Sequence, residues 1–211
     1  MKRLIEKYRT EIVPSLQKEF GYKNILAVPR LVKISVNIGL SKALKDSKYL
    51  EVMTDTLQRI TGQRPVKTLA RKAVSGFGIR QGMVVGLMVT LRKAKMYDFM
   101  EKLVRVVLPR VRDFRGIPDY SVDRQGNLAL GFREHIVFPE INPDEVEKIH
   151  GLEVTINTTA LNQQEGLRLF TLLGIPFRHE KRKAKKKRRF HKPSGQATGA
   201  SSAAAEPAKK A

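Results

Sequence analysis

Apolar and polar residues alternate along two segments of the chain, 32–37 and 86–92. A period of two places successive side chains on opposite faces of a β-strand. Each segment is therefore predicted to be a strand with one dry face and one polar face. The apolar set is Val32, Ile34, Val36, Leu87, Val89 and Leu91, and the polar set is Lys33, Ser35, Asn37, Thr90 and Arg92. If both apolar faces pack on helices, the polar set lies together on one open face.

Helical spacing of apolar residues predicts four helices between and around these strands. Three of them carry apolar stripes at Leu4–Ile12, Leu50–Ile60 and Met96–Leu108, and they end at Gly21, Gly62 and Pro109, the first being disturbed near Pro14. The last opens at Asn162, with Glu165 three residues later as in a capping box, and stops at Gly174 and Pro176. Further strands are predicted at 65–69 and 154–159, and 120–122 with 128–132 are predicted to form a hairpin.

Strands that follow one another without regular helical crossovers predict an α+β domain. We expect a mainly antiparallel sheet, with helices packed on one face and a polar face left open. This domain should cover residues 1–177. The remainder, 178–211, is a basic, low-complexity tail for which the composition predicts disorder.

The charge of the chain is strongly positive, at +21 over 211 residues. The tail contributes twelve Lys/Arg and two Glu, or +10, so the first 177 residues carry +11 themselves. A basic domain favours polyanionic partners, among which nucleic acid is the commonest and an anionic membrane surface is the alternative. Eight basic residues in nine, from Lys181 to Arg189, are predicted to contact RNA phosphates without sequence preference.

Several functional classes find little support in the sequence. No cysteine is present, the N-terminus lacks the apolar run of a signal peptide, and no apolar stretch approaches the ~20 residues of a membrane span. His135, His150, His179 and His191 lack metal-ligand spacing to one another or to acids. Gly76, Gly78 and Gly82 do not match a nucleotide-binding loop. We therefore expect a soluble intracellular protein with no metal, no cofactor and no catalytic residues.

Four long stretches resemble one protein family, in the same order along the chain. They are VPRLVKISVNIG at 28–39, ITGQRPVKTLARKAVSGFGIRQGM at 60–83, TLRKAKMYDFMEKLVRVVLPRVRDFRG at 90–116, and LPRVRDFRGIPDYSVDRQGNLALGFREHIVFPEI at 108–141. Over residues 1–177 the sequence resembles large-subunit ribosomal protein five of bacterial type, the family that carries 5S rRNA. The resemblance implies a structural constituent of the large subunit, located in the central protuberance of the cytoplasmic ribosome.

The resemblance also implies three groups of site residues. Asn37, Gln63 and Thr90 match the family's 5S rRNA motif, and Lys33, Arg64, Lys67 and Arg92 are their basic neighbours. The loop with Arg71, Lys72, Arg80 and Gln81 is implied to contact peptidyl-site tRNA, although Gly78 stands where a basic residue is expected. Arg110, Arg112, Phe114 and Arg115 are implied to form the subunit bridge to small-subunit ribosomal protein thirteen.

The resemblance further implies contacts with large-subunit rRNA and with other central-protuberance proteins. Simpler interpretations of each region stay open from the residues alone. The polar face could be an ordinary solvated sheet face, the glycine-rich loop a flexible surface loop, and the arginines beside Asp113 an internal ion pair. The rival functions are an RNA-modifying or helicase-accessory enzyme with a basic tail and an adaptor at a membrane surface.

Overall fold

A computed structural model of the chain describes residues 3–40, 47–143 and 149–178. The predicted tail therefore lies outside the described residues except for Arg178, which belongs to the last strand. The strands are β1 Leu31–Gly39, β2 Val66–Leu69, β3 Val84–Leu91, β4 Ile117–Pro118, β5 Leu128–Phe132, β6 Leu152–Thr158 and β7 Phe177–Arg178. The α-helices are α1 Leu4–Lys7, α2 Val13–Phe20, α3 Ser47–Thr61, α4 Lys93–Lys102, α5 Leu108–Arg110 and α6 Gln163–Leu172.

Five strands form one sheet in the order β2-β3-β1-β6-β5, and every neighbouring pair is antiparallel. The two-residue strands β4 and β7 pair in parallel beside it, Ile117 opposite Phe177. The alternating apolar residues of β1 and β3 are buried on the helix side, as Ile34, Val36 and Leu87 illustrate. They join α3, α4 and α6 in one hydrophobic core. The predicted α+β class with a mainly antiparallel sheet is confirmed.

Pro109 and Pro14, which were predicted to end one helix and to disturb another, both lie within continuous helical backbone. Pro109 was predicted to end a helix, but α4 continues through a π-helical turn, Leu103–Val107, into α5, which contains Pro109. Pro14 follows a second π-helical turn, Tyr8–Ile12, in the same way. In each case the wider turn ends two residues before the proline. It separates the ring from the preceding turn, so the helix continues where a regular α-helix would break.

Two further predictions, both about β-strands, are wrong. Val32 was assigned to the dry face, but the pairing of β1 with β6 shifts register between Leu31 and Lys33 and leaves Val32 38% exposed. Such a bulge inserts an extra residue and changes which side chains face the core. The predicted hairpin is reduced to one bridge, Val122 to Leu128, because β5 pairs with β6 instead.

The predicted capping box of the last helix is also not formed. Asn162 occupies the N-cap position of α6, but its side chain makes no capping hydrogen bond. The Glu165 carboxylate instead accepts a hydrogen bond from the Leu161 N–H at 2.9 Å. The predicted start of the helix is correct, but the Glu165 carboxylate accepts from the N–H of Leu161, one residue before the N-cap residue Asn162.

Candidate nucleic-acid interface

The face of the sheet opposite the core consists mainly of polar and small residues, with exposed Val66 and Met88 among them, in register across the strands. Cross-strand partners project from the same face. Asn37 lies between Met88 on β3 and Glu153 on β6. Ser35 lies between Thr90 and Thr155 in the next row. The full set on this open face is Val66, Thr68, Gly86, Met88, Thr90, Lys33, Ser35, Asn37, Gly39, Glu153, Thr155, Asn157, Ala129 and Gly131.

The polar side chains of this open face lack partners within the described part of the chain. Lys33, Ser35, Asn37, Thr90 and Thr155 make no side-chain hydrogen bond or ion pair there. Side-chain amides and hydroxyls can both donate and accept hydrogen bonds. The open face is therefore a set of hydrogen-bonding groups held on a rigid sheet and left free for a ligand.

Gly86 adds no side chain to the open face beside Asn37. A Cβ atom at this position would lie 2.7 Å from the Thr68 hydroxyl oxygen and 3.0 Å from the Ile38 carbonyl oxygen. Any larger residue would force those atoms apart. The glycine, which is itself buried, thus permits close packing of β2, β3 and β1.

The structure brings together only part of the predicted 5S rRNA set. Asn37, Thr90 and Lys33 share the open face. Gln63 lies beside it, where its Nε2 donates to the Thr90 carbonyl at 3.4 Å. Arg64 and Arg92 are exposed just outside the ends of β2 and β3.

Lys67 is exposed but lies on the other side of the sheet. It pairs with Leu87, which is fully buried, whereas its neighbours Val66 and Thr68 pair with residues of the open face. Met88, Thr155 and Asn157 also belong to the face, although they were not predicted to. The alternation of Glu153, Thr155 and Asn157 with buried Val154 and Ile156 is the signal that could have identified the β6 residues.

The loop between β2 and β3 is an ordered hairpin extension. Ala70 and Met83 are joined by a backbone hydrogen bond of 2.8 Å, and Val74 and Ile79 exchange two, of 2.8 and 3.1 Å. Gly78 closes the tip with φ +63°, a conformation that favours glycine over the basic residue expected there. The predicted loop residues Arg71, Lys72, Arg80 and Gln81 are all exposed along this hairpin. Phe77 at its tip is 78% exposed.

The arginine-rich segment, Arg110 to Arg115, leaves α5 and turns back toward β4. Asp113 adopts φ +52°, which bends the chain sharply. Arg110, Arg112 and Arg115 are exposed, and none pairs with Asp113 or with another carboxylate in the described part of the chain. Phe114 is half-buried and packs on the core, so it anchors the segment. The geometry does not support an internal ion pair with Asp113.

A groove of about 820 Å³ separates the arginine-rich segment from β5 and from the turn His135–Val137. That turn is fixed by a stacked histidine pair. The rings of His135 and His150 are parallel within 2°, with centroids 3.9 Å apart. Burial and the neighbouring His135 lower the pKa of His150 to about 4, and burial also lowers the pKa of His135. Both imidazoles are thus held neutral near neutral pH.

Neither a metal centre nor a membrane span is found among the described residues. No group of three or more His, Asp or Glu side chains is arranged to hold a metal ion there. In the same part of the chain, no helix is both long and apolar enough to cross a bilayer.

Comparisons with known proteins agree with this geometry. Two family models match: ribosomal protein L5 over residues 24–80, and the C-terminus of the same ribosomal family over residues 84–177. The first match covers β1, β2 and most of the hairpin, and the second covers β3 to the first residue of β7. The chain belongs to the ribosomal protein L5 family.

Individual relatives in this family are similar over nearly their whole length. The chain is 52% identical over 178 residues to large ribosomal subunit protein uL5 of Desulfatibacillum aliphaticivorans, covering 84% of this chain and 99% of that protein. It is 53% identical over 176 residues to uL5 of Roseiflexus castenholzii, covering 83% and 98%. For uL5 of Thermotoga maritima the identity is 51% over 175 residues, covering 83% and 95%.

Family membership establishes the general role. The chain is a bacterial-type member of this family and a structural constituent of the large ribosomal subunit. It is an RNA-binding ribonucleoprotein component of the translation machinery in the cytoplasm, associated with rRNA. Its relatives are structural ribosomal proteins and not enzymes.

Proposed function

We propose that the chain binds 5S rRNA through the open face of the sheet and thereby helps to build the central protuberance. The observation that carries this proposal is the set of unpartnered amide and hydroxyl groups on that face, centred on Asn37 and Thr90. RNA helices present 2′-hydroxyls and base edges in a wide, shallow minor groove. A flat array of donors and acceptors suits that groove better than a cluster of like charges does.

Affinity and selectivity come from different residues in this proposal. Lys33 and Glu153 on the face carry opposite charges, so the face itself adds little net attraction for phosphate. The exposed Arg64 and Arg92 at its margin, together with the +11 charge of residues 1–177, supply the sequence-independent attraction. Hydrogen bonds from Asn37, Gln63 and Thr90 then distinguish 5S rRNA from other RNAs.

The two projecting regions are assigned to other partners. The hairpin with Arg71, Lys72, Arg80 and Gln81 contacts peptidyl-site tRNA, because a basic hairpin can reach a ligand distant from the sheet. Arg110, Arg112 and Arg115, held by the anchor Phe114, form the bridge to small-subunit ribosomal protein thirteen. Large-subunit rRNA and other central-protuberance proteins surround the domain. The mechanism is binding, with no catalytic step, metal or cofactor.

A competition experiment with the full chain tests the 5S assignment. Affinity for 5S rRNA should exceed affinity for tRNA of similar length at about 150 mM salt, because non-specific basic attraction does not discriminate between them. Asn37→Ala with Thr90→Val should remove most of the difference, while the melting temperature stays nearly unchanged. Asn162→Ala with Thr171→Val, exposed on and beside α6, is the matched control. Equal affinity of the unmodified chain for both RNAs would refute the proposal.

A further inference from the structure

A short turn before β1 exposes two large apolar side chains. Ile25 is 63% exposed and Leu26 is 80% exposed, in the 3-10 turn Ile25–Ala27. The turn is rigidly held, because the Asn24 side-chain oxygen accepts from the Leu26 N–H at 2.9 Å and the Asn24 carbonyl from the Ala27 N–H at 3.1 Å. Two adjacent apolar side chains fixed in an exposed position are candidates for contact with a partner.

These side chains form one wall of a small pocket. Tyr8 and Arg9 of the first π-helical turn, with Arg30 just before β1, line it opposite Ile25 and Leu26. The Tyr8 hydroxyl donates to the Pro29 carbonyl at 2.9 Å, which fixes the ring. The volume is about 270 Å³. This is below the ~300–1,000 Å³ of typical small-molecule sites, so the pocket suits one flat ring and not a whole cofactor.

The charge of the pocket is uniformly positive. Arg9 and Arg30 are exposed, no carboxylate lines the pocket, and neither guanidinium has an ion-pair partner within the described residues. The Arg30 backbone is fixed to Thr159, whose hydroxyl accepts from the Arg30 N–H at 3.0 Å. Both cations lie close to Tyr97: burial raises the pKa of that phenol, and Arg9 and Arg30 oppose the rise. Two guanidinium groups with free donors match the oxygens of a phosphate.

We propose that this pocket binds a single unstacked nucleotide of ribosomal RNA, with its base between Tyr8 and the Ile25–Leu26 wall and its phosphates on Arg9 and Arg30. An acidic peptide would satisfy the arginines but leave the apolar wall in water, whereas a nucleotide uses both. The inference rests on the proposed RNA-binding function but concerns a second site. The pocket is separate from the open face, because Asn37 follows Arg30 by seven positions of extended chain, or roughly 23 Å.

Two double variants of the full chain separate the base contact from the phosphate contact. Ile25→Ser with Leu26→Ser should weaken RNA binding about tenfold, as expected for lost base packing, without changing its salt dependence. Arg9→Ala with Arg30→Ala should lower the slope of log affinity against log salt by about 1.4, or ~0.7 for each phosphate contact. Lys18→Ala, exposed on α2, is the control for generic loss of positive charge and should change either quantity only slightly. All variants should melt like the parent, because the substituted side chains are exposed.

The measurement has two arms, purified 5S rRNA and large-subunit particles reconstituted without this protein. An effect in either arm supports the proposal, and the arm in which it occurs identifies the RNA. Effects no larger than that of Lys18→Ala in both arms would overturn it. Loss of binding to a poly-glutamate peptide, with both RNA arms intact, would overturn it in favour of an acidic protein segment. Asn37→Ala with Thr90→Val, measured in parallel, reports on the open face, so the two proposals fail separately.

Discussion

The open face of the sheet carries one lysine and one glutamate among uncharged residues, whereas the segment from Arg110 to Arg115 carries three arginines in six residues, none with an ion-pair partner in the described part of the chain. The face is fixed by four strand pairings and a packed core. The arginine-rich segment is attached through Phe114 and borders an open groove. A rigid, nearly neutral surface selects a partner by the geometry of its hydrogen bonds, while a charged projection attracts many partners and selects weakly.

Because of this difference, the same kind of substitution should have different effects on the open face and on a charged projection. A charge change on the face should abolish selective RNA recognition, because the sheet holds every group there in a fixed position. A charge change on a projection should weaken an association that several residues share. Substitutions can test this distinction, and their expected effects decrease from the centre of the face to the hairpin.

A carboxylate at the centre of the open face should have the largest effect. Ser35 lies between Thr90 and Thr155, and its hydroxyl has no hydrogen-bond partner in the described residues. Ser35→Glu would place a negative charge against RNA phosphates, at a cost of several kcal/mol. We expect 5S rRNA affinity to fall on the order of 100-fold, measured by filter binding, with little change in melting temperature. Gln58→Glu on the exposed side of α3 adds the same charge elsewhere and should leave binding intact. Equal losses for both variants would show that net charge, and not the face, governs affinity.

How far the face could be predicted from the sequence depended on local periodicity. Alternation in β1 and β3 identified Lys33, Asn37 and Thr90 correctly, because a period of two fixes the face once one side is buried. It failed at Val32, where a bulge changes the phase. It also gave no warning that Lys67 points away, since the register of an edge strand is set by its partner and not by its own four residues.

The projecting regions were less predictable, because their conformations depend on tertiary contacts. Pro109 was expected to end a helix, and only the π-helical turn before it shows why the helix continues to Arg110. The glycine-rich loop had no periodicity, yet cross-hydrogen bonds from Ala70 to Met83 order it. Roles on the hairpin and on the arginine-rich segment came from family resemblance, and the residues alone did not supply them.

The stacked histidines beside the arginine-rich segment should make the stability of the folded chain depend on pH. His150 has a pKa of about 4 in the folded chain and about 6.5 when unfolded, so the unfolded state binds the proton first as pH falls. Stability is therefore complete above pH 6.5 and is lost toward pH 4, by on the order of 2 kcal/mol once the partial exposure of the ring is allowed for. Urea unfolding at pH 7 and pH 4.5 measures the loss. His150→Gln removes the titrating group and should show a smaller difference between the two pH values. An identical pH dependence in the variant would exclude the histidine pair as its source.

Charge reversal on the arginine-rich segment should have an intermediate effect. Arg112→Glu with Arg115→Glu removes two exposed, unpaired cations from the proposed bridge. We expect association of the two ribosomal subunits to weaken about tenfold, the ~1.4 kcal/mol of a few shared surface charges. Light scattering during subunit joining measures this, while 5S rRNA affinity should stay within about twofold of the parent. Lys18→Glu with Arg124→Glu reverses two exposed charges elsewhere and is the control. Normal joining, or unfolding of the double variant, would remove the bridge assignment.

The hairpin between β2 and β3 should give the smallest effect, because its contact with tRNA is proposed to be peripheral. Arg71→Ala with Arg80→Ala removes two exposed cations but keeps the backbone pairing of Ala70 with Met83 and of Val74 with Ile79. Two exposed phosphate contacts of a few tenths of a kcal/mol each predict an approximately threefold faster dissociation of peptidyl-site tRNA from assembled ribosomes. Lys18→Ala with Arg124→Ala controls for charge loss. The same variant should bind 5S rRNA normally, because the hairpin projects beyond the open face. If 5S binding fell instead while tRNA dissociation stayed unchanged, the hairpin would belong to the main RNA site, and the division between a selective face and attracting projections would not hold.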